Sequence, residues 1–374
     1  MRVDFWTSVA GTAYLRELAE ALAPHGFELR PRFELRQARY WQVRGRAGRL
    51  ALRFRTYVVY PLRVAWDFAR HDEPRVAVVA SNTFFAPWLA ARLGGRRRRV
   101  IHLVYDLYPE TLLHAGAARP GGMIERLLRA LMRDTFRRAA ANVFLGERLA
   151  VYACRTYGDA AIRRPRVIPV GTVAGPFRDW QPAPRPAGWK PVILYCGNLG
   201  HMHEVDTVAH GLLTAAAASN VRWRFHATGA GFDRLRARLA AEGPSAAEVT
   251  LGGNLPDDRW AAVMKDADVA LVTMRPGAEQ VLVPSKTYSA LLAGQAILAV
   301  CPPDSDLSEI VRRHACGWVV APGDHAGFAA AVAAVASDPD GLLHRRMQAR
   351  HAGETACSLP ALAAAWAELL RECA

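Results

Sequence analysis

The stretch from Asp268 to Cys301 constrains the fold more than any other part of the chain. Val269 to Thr273 is a short apolar run, and Arg275-Pro276-Gly277 breaks it. Pro284-Ser285 then opens a helix that Ser285 is placed to cap, with Tyr288, Leu291 and Leu292 on one face. Gly294 stops that helix, and Ala296 to Val300 is a second apolar run. Two buried strands joined through a helix read as parallel neighbours in an α/β sheet. A loop at the carboxyl end of such a strand, feeding a helix, is where folds of this kind bind anions. Lys286 stands in the first turn, one of three lysines among 48 basic residues. A compact ammonium suits a phosphate, and the plain alternative is a solvated surface lysine.

The same rhythm runs through the whole chain. Val3 to Trp6 reads as a strand, Thr7 to Thr12 as a small-residue loop and Ala13 to Leu22 as a helix, with a second strand over Phe27 to Phe33. Val76 to Ala80 ends at Ser81-Asn82-Thr83, and Val100 to Tyr105 delivers Asp106-Leu107-Tyr108-Pro109-Glu110. Carboxylates at a strand end either orient or deprotonate a hydroxyl, or cap the turn and helix that follow. His102, inside the strand, reads as a packed histidine. Five prolines between Pro176 and Pro191 mark a stiff linker. After it, Val192 to Cys196 leads into Gly197-Asn198-Leu199-Gly200, and a helix is expected to reach Ala218. Arg222 to Thr228 leads into Gly229-Ala230-Gly231, and Val249 to Leu251 into Gly252-Gly253-Asn254-Leu255-Pro256.

At 374 residues two domains are expected. The division reads as 1–172 for the first, 173–190 for the linker, 191–357 for the second, and 358–374 for a last helix. The six cysteines contain no C-x-x-C pair, which points to reduced thiols. Met1 to Ser8 has no secretory-signal pattern, and no apolar run is long enough to span a bilayer, so a cytoplasmic protein is expected. The net charge of +14 admits nucleic acid, an anionic membrane or an acidic small ligand. Residues 35–70 alternate arginines with aromatics, and no acid occurs from Gln37 to Trp66. They read as amphipathic helices with an arginine-rich face, or as an interfacial segment meeting anionic headgroups. No nucleic-acid motif accompanies them, so no nucleic-acid partner is expected.

Val283-Pro284-Ser285-Lys286-Thr287-Tyr288, followed by Leu292-Ala293-Gly294-Gln295-Ala296-Ile297, resembles the signature of retaining family 4 glycosyltransferases. It is similar in particular to the bacterial branch of N-acetyl-aminosugar transferases of O-antigen and capsule assembly. Asp106 to Glu110 resembles that branch's D-L-W-P-E element, and Val167 to Gly171 its V-I-P-N-G. Gly317 to Asp324 resembles its G-x-x-V-x-P-x-D. The resemblance implies a GT-B fold of two Rossmann-like doubly wound domains facing a cleft. It implies a final helix that crosses back to the first domain.

By that resemblance the donor is a nucleotide diphosphate sugar, UDP-linked. It would be held by Gly197, Asn198, Leu199, Gly200, Gly229, Gly231, Asn254, Leu255, Glu279, Pro284, Ser285, Lys286 and Ser289. Lys286 and Asp106 carry the catalytic roles, and Gly11, Thr12, Asp106 and Glu110 face the acceptor. The acceptor is a sugar or lipid-linked precursor at the inner membrane face, which makes residues 35–70 a peripheral membrane contact. No metal or other cofactor is expected. His201 and His203 have the spacing of half a metal site but no partners nearby in sequence. The sequence departs from the family pattern at two places. The usual glutamate pair would fall at Val281 and Ser289, and the usual Arg/Lys pair after the glycine loop is missing. A non-catalytic GT-B-like partner or membrane-binding protein, or a nucleotide-sugar epimerase of the same fold, stands as the alternative.

Overall fold

The structure, a computed structural model, describes residues 1–37, 43, 45–70, 75–95, 98–214, 220–243 and 248–374, with 257 described in its backbone alone. Residues 38–42 and 44 of the arginine-aromatic segment lie outside the described residues, as do 215–218 of the helix expected to reach Ala218. The chain divides into two compact units, Met1–Val173 with Leu359–Ala374, and Ala174–Ser358. Each is a six-stranded sheet with helices between the strands, and every strand pairing is parallel.

In the first unit β1 (Arg2–Ala10), β2 (Glu28–Arg36), β3 (Arg75–Ala80), β4 (Arg98–Val104), β5 (Ala141–Phe144) and β6 (Pro165–Val167) take the order β2-β1-β3-β4-β5-β6. β1 is longer than its apolar run: Thr7 to Ala10, expected as a loop, are strand. Val9 pairs with Leu35 and Ala10 with Arg36, because β2 runs on beside them. β3 is almost wholly apolar and buried, as a strand covered on both faces requires. β2, on the edge, carries Pro31 and charged residues, which an edge tolerates. The last helix, Leu359–Glu372, packs against Thr12–Leu22 within this unit, and Arg166 pairs with Glu372 at 2.9 Å.

In the second unit β7 (Val192–Asn198), β8 (Arg222–Thr228), β9 (Glu248–Gly252), β10 (Val269–Thr273), β11 (Ala296–Val300) and β12 (Gly317–Val320) take the order β12-β11-β10-β7-β8-β9. β10 and β11 are buried along their whole length. Trp223, Phe225, Phe328 and Leu298 lie in a core between the sheet and its helices. The proline-rich stretch is packed on this unit: Phe177 is buried, and Trp180 Nε1 donates to Ala293 O at 2.8 Å. The buried carboxylate of Asp268 accepts from Arg185 Nε at 2.7 Å and Trp189 Nε1 at 2.9 Å. Cys196 is half-buried, because β7 continues past it to Asn198 at the open end of the sheet. All six cysteines are free.

Candidate functional site

In the second unit the direction of the sheet order changes between β7 and β10, so their carboxyl ends open a crevice that no connection crosses. The loops after these two strands interlock there. Arg275 N donates to Met202 O at 3.0 Å, and His203 Nδ1 lies 2.7 Å from Thr273 O. Lys286 follows the β10 loop and reaches back to β7. Its Nζ donates to Asn198 O at 3.1 Å and to the hydroxyl of Tyr195, and it sits 4.2 Å from the centre of the Tyr195 ring. Tyr195 Oη donates in turn to Asn198 O at 2.9 Å.

The partners of Lys286 are thus a phenol and a carbonyl, both neutral. Desolvation pushes its ammonium down to about 7. In the same loop after β7, the N–H groups of Gly200, His201 and Met202 donate to no protein acceptor among the described residues. A cation without a counter-ion beside free amides is an arrangement suited to an oxyanion.

The glycines of this region serve close approach. Gly197 has φ +126°, and a Cβ there would lie 3.9 Å from Lys286 Cε. Gly229 (φ +108°) lets the loop after β8 lie against the one after β7, where a Cβ would run into Asn198 Oδ1 and sit 2.8 Å from Leu199 O. The amides of Gly231 and Phe232 donate to Leu199 O at 2.8 and 3.2 Å, so they hold the β7 loop in place. Asn254 is exposed, its Oδ1 3.5 Å from Thr228 Oγ1, with Leu255 half-buried beside it.

Three residues sit differently from expectation. Ser285 does not cap the helix Lys286–Leu292. It has φ −56° and ψ −24°, already helical, whereas a capping side chain requires the extended region. Ser289 Oγ donates to Lys286 O at 3.0 Å, so its proton is committed to the helix backbone. Glu279 is half-buried, with Oε2 sealed from solvent and without a hydrogen-bond partner. Pro284 is buried between them.

The first unit gathers the residues expected on the acceptor side. Its sheet order changes direction between β1 and β3, and Asn82 after β3 locks onto β1 through Thr7 Oγ1 at 2.7 Å. Ser81 Oγ accepts from the amides of Tyr105 and Asp106 at 3.0 and 3.2 Å, and donates to Asp106 O at 2.7 Å. That hydroxyl fixes the backbone at the end of β4. The Asp106 carboxylate itself is half-buried, has no hydrogen-bond donor among the described residues, and is raised by burial to about 6.

Gly11 precedes the helix Thr12–Leu22, where a Cβ would stand 3.0 Å from Gln37 Oε1, and Thr12 is exposed. Glu110, by contrast, is 2% exposed and faces inward. Its oxygens accept from Arg129 at 2.8 Å and from the hydroxyls of Tyr152 and Tyr157 at 3.3 Å. It anchors the helix Met123–Arg138 and offers nothing to a ligand. His102 is buried and packed, with Nδ1 3.2 Å from Asn142 Oδ1.

Sequence reading missed Tyr195, whose hydroxyl positions Lys286. Its only signal was being the polar-tipped residue two before the glycine loop. Among the described residues no group of three or more His, Cys, Asp or Glu is arranged to hold a metal ion. Among the same residues no helix is long and apolar enough to cross a membrane.

Residues 190–338 match the family model of glycosyl transferases group 1. The chain is 26% identical over 238 residues to the probable glycosyltransferase WbjE of Pseudomonas aeruginosa, an alignment that takes in 61% of this chain and 57% of that protein. Solved structures of the same fold include sucrose-phosphate synthase from Thermosynechococcus elongatus (TM-score 0.72, 17% identity, covering 99% of this chain and 98% of that one). HepE of Anabaena, in complex with UDP-glucose, has a TM-score of 0.66 at 15% identity and covers 99% of both chains. WaaG, a glycosyltransferase involved in lipopolysaccharide biosynthesis, has a TM-score of 0.62 at 15% identity, covering 98% and 99%. The two parallel six-stranded units are those of the GT-B fold.

Proposed function

We propose that this protein is a glycosyltransferase that takes a sugar from a UDP-linked donor, with retention, and passes it to a hydroxyl of a lipid-linked glycan precursor. The observation that carries the reading is Lys286, an uncompensated cation at the crevice between β7 and β10, beside the free amides of Gly200 to Met202. When the bond from the sugar to the diphosphate breaks, charge builds on the leaving oxygens. A fixed ammonium with amide donors stabilises that charge more than the ground state. Binding a dianion also restores the ammonium that burial disfavours. The UDP and UDP-glucose complexes of the HepE neighbour support the choice of nucleotide.

On the acceptor side, Asp106 is the group that orients or deprotonates the hydroxyl. The lipid-linked acceptor and a place at the inner membrane face rest on the surface of the first unit. The helical run 46–70 leaves Leu50, Phe54, Tyr57, Val58, Leu62 and Trp66 exposed, flanked by the exposed Arg46, Arg49 and Arg53. Met123, Ile124 and Leu127 add a second apolar group on the same unit. Apolar side chains between arginines that have no ion-pair partner among the described residues match an anionic lipid surface.

Calorimetric titration with UDP and GDP tests the reading. Micromolar UDP binding that is lost in Lys286→Ala, with the variant still folded, is the expected result. Absence of binding by either nucleotide would overturn it in favour of a non-catalytic role.

A further inference from the structure

The β7 loop holds a histidine that the donor reading leaves unused. His203 is 8% exposed, and its Nδ1 lies 2.7 Å from the carbonyl oxygen of Thr273. A carbonyl only accepts, so Nδ1 carries the ring proton and Nε2 keeps a bare lone pair. Nε2 meets no protein donor among the described residues. The ring stands edge-on to Tyr195 at 6.1 Å, the same tyrosine that receives Lys286. Burial and the neighbouring Lys286 charge hold the imidazole neutral, with its protonation pushed down to about 3. Cys196, which neighbours Lys286, is itself raised to about 11 and stays a thiol at neutral pH.

A neutral imidazole whose lone pair has no protein donor is a selective contact. Phosphate oxygens carry no proton, so a lone pair directed at them repels. A hydroxyl or amide N–H matches it. Resting on the donor reading above, we infer that His203 Nε2 accepts a hydrogen bond from the sugar of the nucleotide-sugar donor, so that this residue distinguishes the full donor from its nucleotide. Its Nδ1 bond to the end of β10 supplies the fixed tautomer that makes this possible. Both ends of the ring lie within one unit, so the contact is preorganised before any acceptor arrives.

The test separates the two ends of the ring. UDP and a panel of UDP-glucose, UDP-galactose and UDP-N-acetylglucosamine are titrated into the full chain, its His203→Asn variant and its His203→Phe variant. An asparagine amide is able to keep the donor bond to Thr273 O while removing the outward acceptor. The expected result is a UDP affinity within about twofold of wild type in His203→Asn, with the extra affinity for the best-bound UDP-sugar reduced about tenfold, the worth of one hydrogen bond.

Nitrogen-15 NMR of the histidines is expected to show Nδ1 protonated and Nε2 bare from pH 6 to 8. The Nε2 resonance should move on adding UDP-sugar and stay on adding UDP. Equal losses for UDP and UDP-sugar in His203→Asn would overturn the inference in favour of loop support alone. So would a wild type that binds no UDP-sugar more tightly than UDP, or a ring protonated at Nε2. A wild type that binds no UDP at all would overturn the donor reading first, which is a distinguishable result.

Discussion

Lys286 Nζ lies 3.1 Å from the carbonyl oxygen of Asn198, so a side chain delivered by the loop after β10 closes onto the last residue of β7. The two strands are neighbours in the sheet although 70 residues of chain, β8 and β9 included, separate them. This contact therefore exists only once the unit has folded.

The ammonium of Lys286 is pushed down to about 7, so above that pH the free protein holds mostly the neutral amine. A diphosphate draws the proton back. At pH 8, UDP binding is expected to take up close to one proton. The binding enthalpy should then change with the ionisation enthalpy of the buffer. Lys286→Arg, which stays charged, should show no such dependence. The linkage to stability has a definite sign. A folded pKa below the unfolded value contributes stability at alkaline pH, lost as pH falls from about 10.5 toward 7. Thermal midpoints of wild type relative to Lys286→Met, followed from pH 6 to 10, check this.

Asp106 should give the acid limb of the activity profile. With its carboxyl raised to about 6, kcat/KM is expected to rise through that pH and level off above it. Asp106→Asn should lower the plateau and remove the limb. Because the folded pKa lies above the unfolded one, the stability it contributes is present below about 4 and lost as pH rises through about 6. The same variant should therefore hold its thermal midpoint, or gain slightly, at pH 8. An unaltered acid limb in Asp106→Asn would assign the titration elsewhere.

Glu110→Gln should act on folding alone. It leaves Arg129 without one of its carboxylates, at the buried end of a network that includes Tyr152 and Tyr157. Arg129 keeps Glu125 at 2.7 Å and is partly solvated, so the loss is expected at about 2 kcal/mol, below the range for a fully buried pair. Denaturant titration reads the loss. UDP affinity should not change, and a large change in it would return Glu110 to the ligand site.

The exposed apolar side chains on 46–70 should bind lipid. Co-sedimentation with vesicles of phosphatidylglycerol and phosphatidylcholine is expected to fall several-fold in the double variant Leu50→Ser with Phe54→Ser. Their exposures of 70% and 57% mean that little packing is lost, so the thermal midpoint should hold. Binding to neutral vesicles should be weak in every variant, since the arginines then lack a partner. Undiminished sedimentation of the double variant would exclude this face.

The fold was legible because parallel strands buried on both faces are nearly continuous apolar runs, and β3, β10 and β11 stand out as such. Lys286 and the loop Gly197 to Gly200 were legible through spacing and resemblance. The inward turn of Glu110 was not, because its partners Arg129, Tyr152 and Tyr157 are 19, 42 and 47 residues away. For the same reason Tyr195 went unnoticed: its role depends on a lysine 91 positions later. The failed cap at Ser285 follows from backbone angles that sequence does not reveal.

The helical run from Arg46 to Arg70 contains a π-turn over Arg55–Val59. In a regular α-helix a ladder of every fourth residue creeps round the axis by about 40° a step, since a turn takes 3.6 residues. Leu50, Phe54, Val58, Leu62 and Trp66 form such a ladder. A π-turn fits more residues into one revolution and takes back part of that creep midway. The single wide turn thereby acts as a phase corrector, keeping one greasy seam aimed the same way from end to end. Were Arg55–Val59 to close into ordinary α-turns with no residue lost, the two halves would aim their apolar side chains apart.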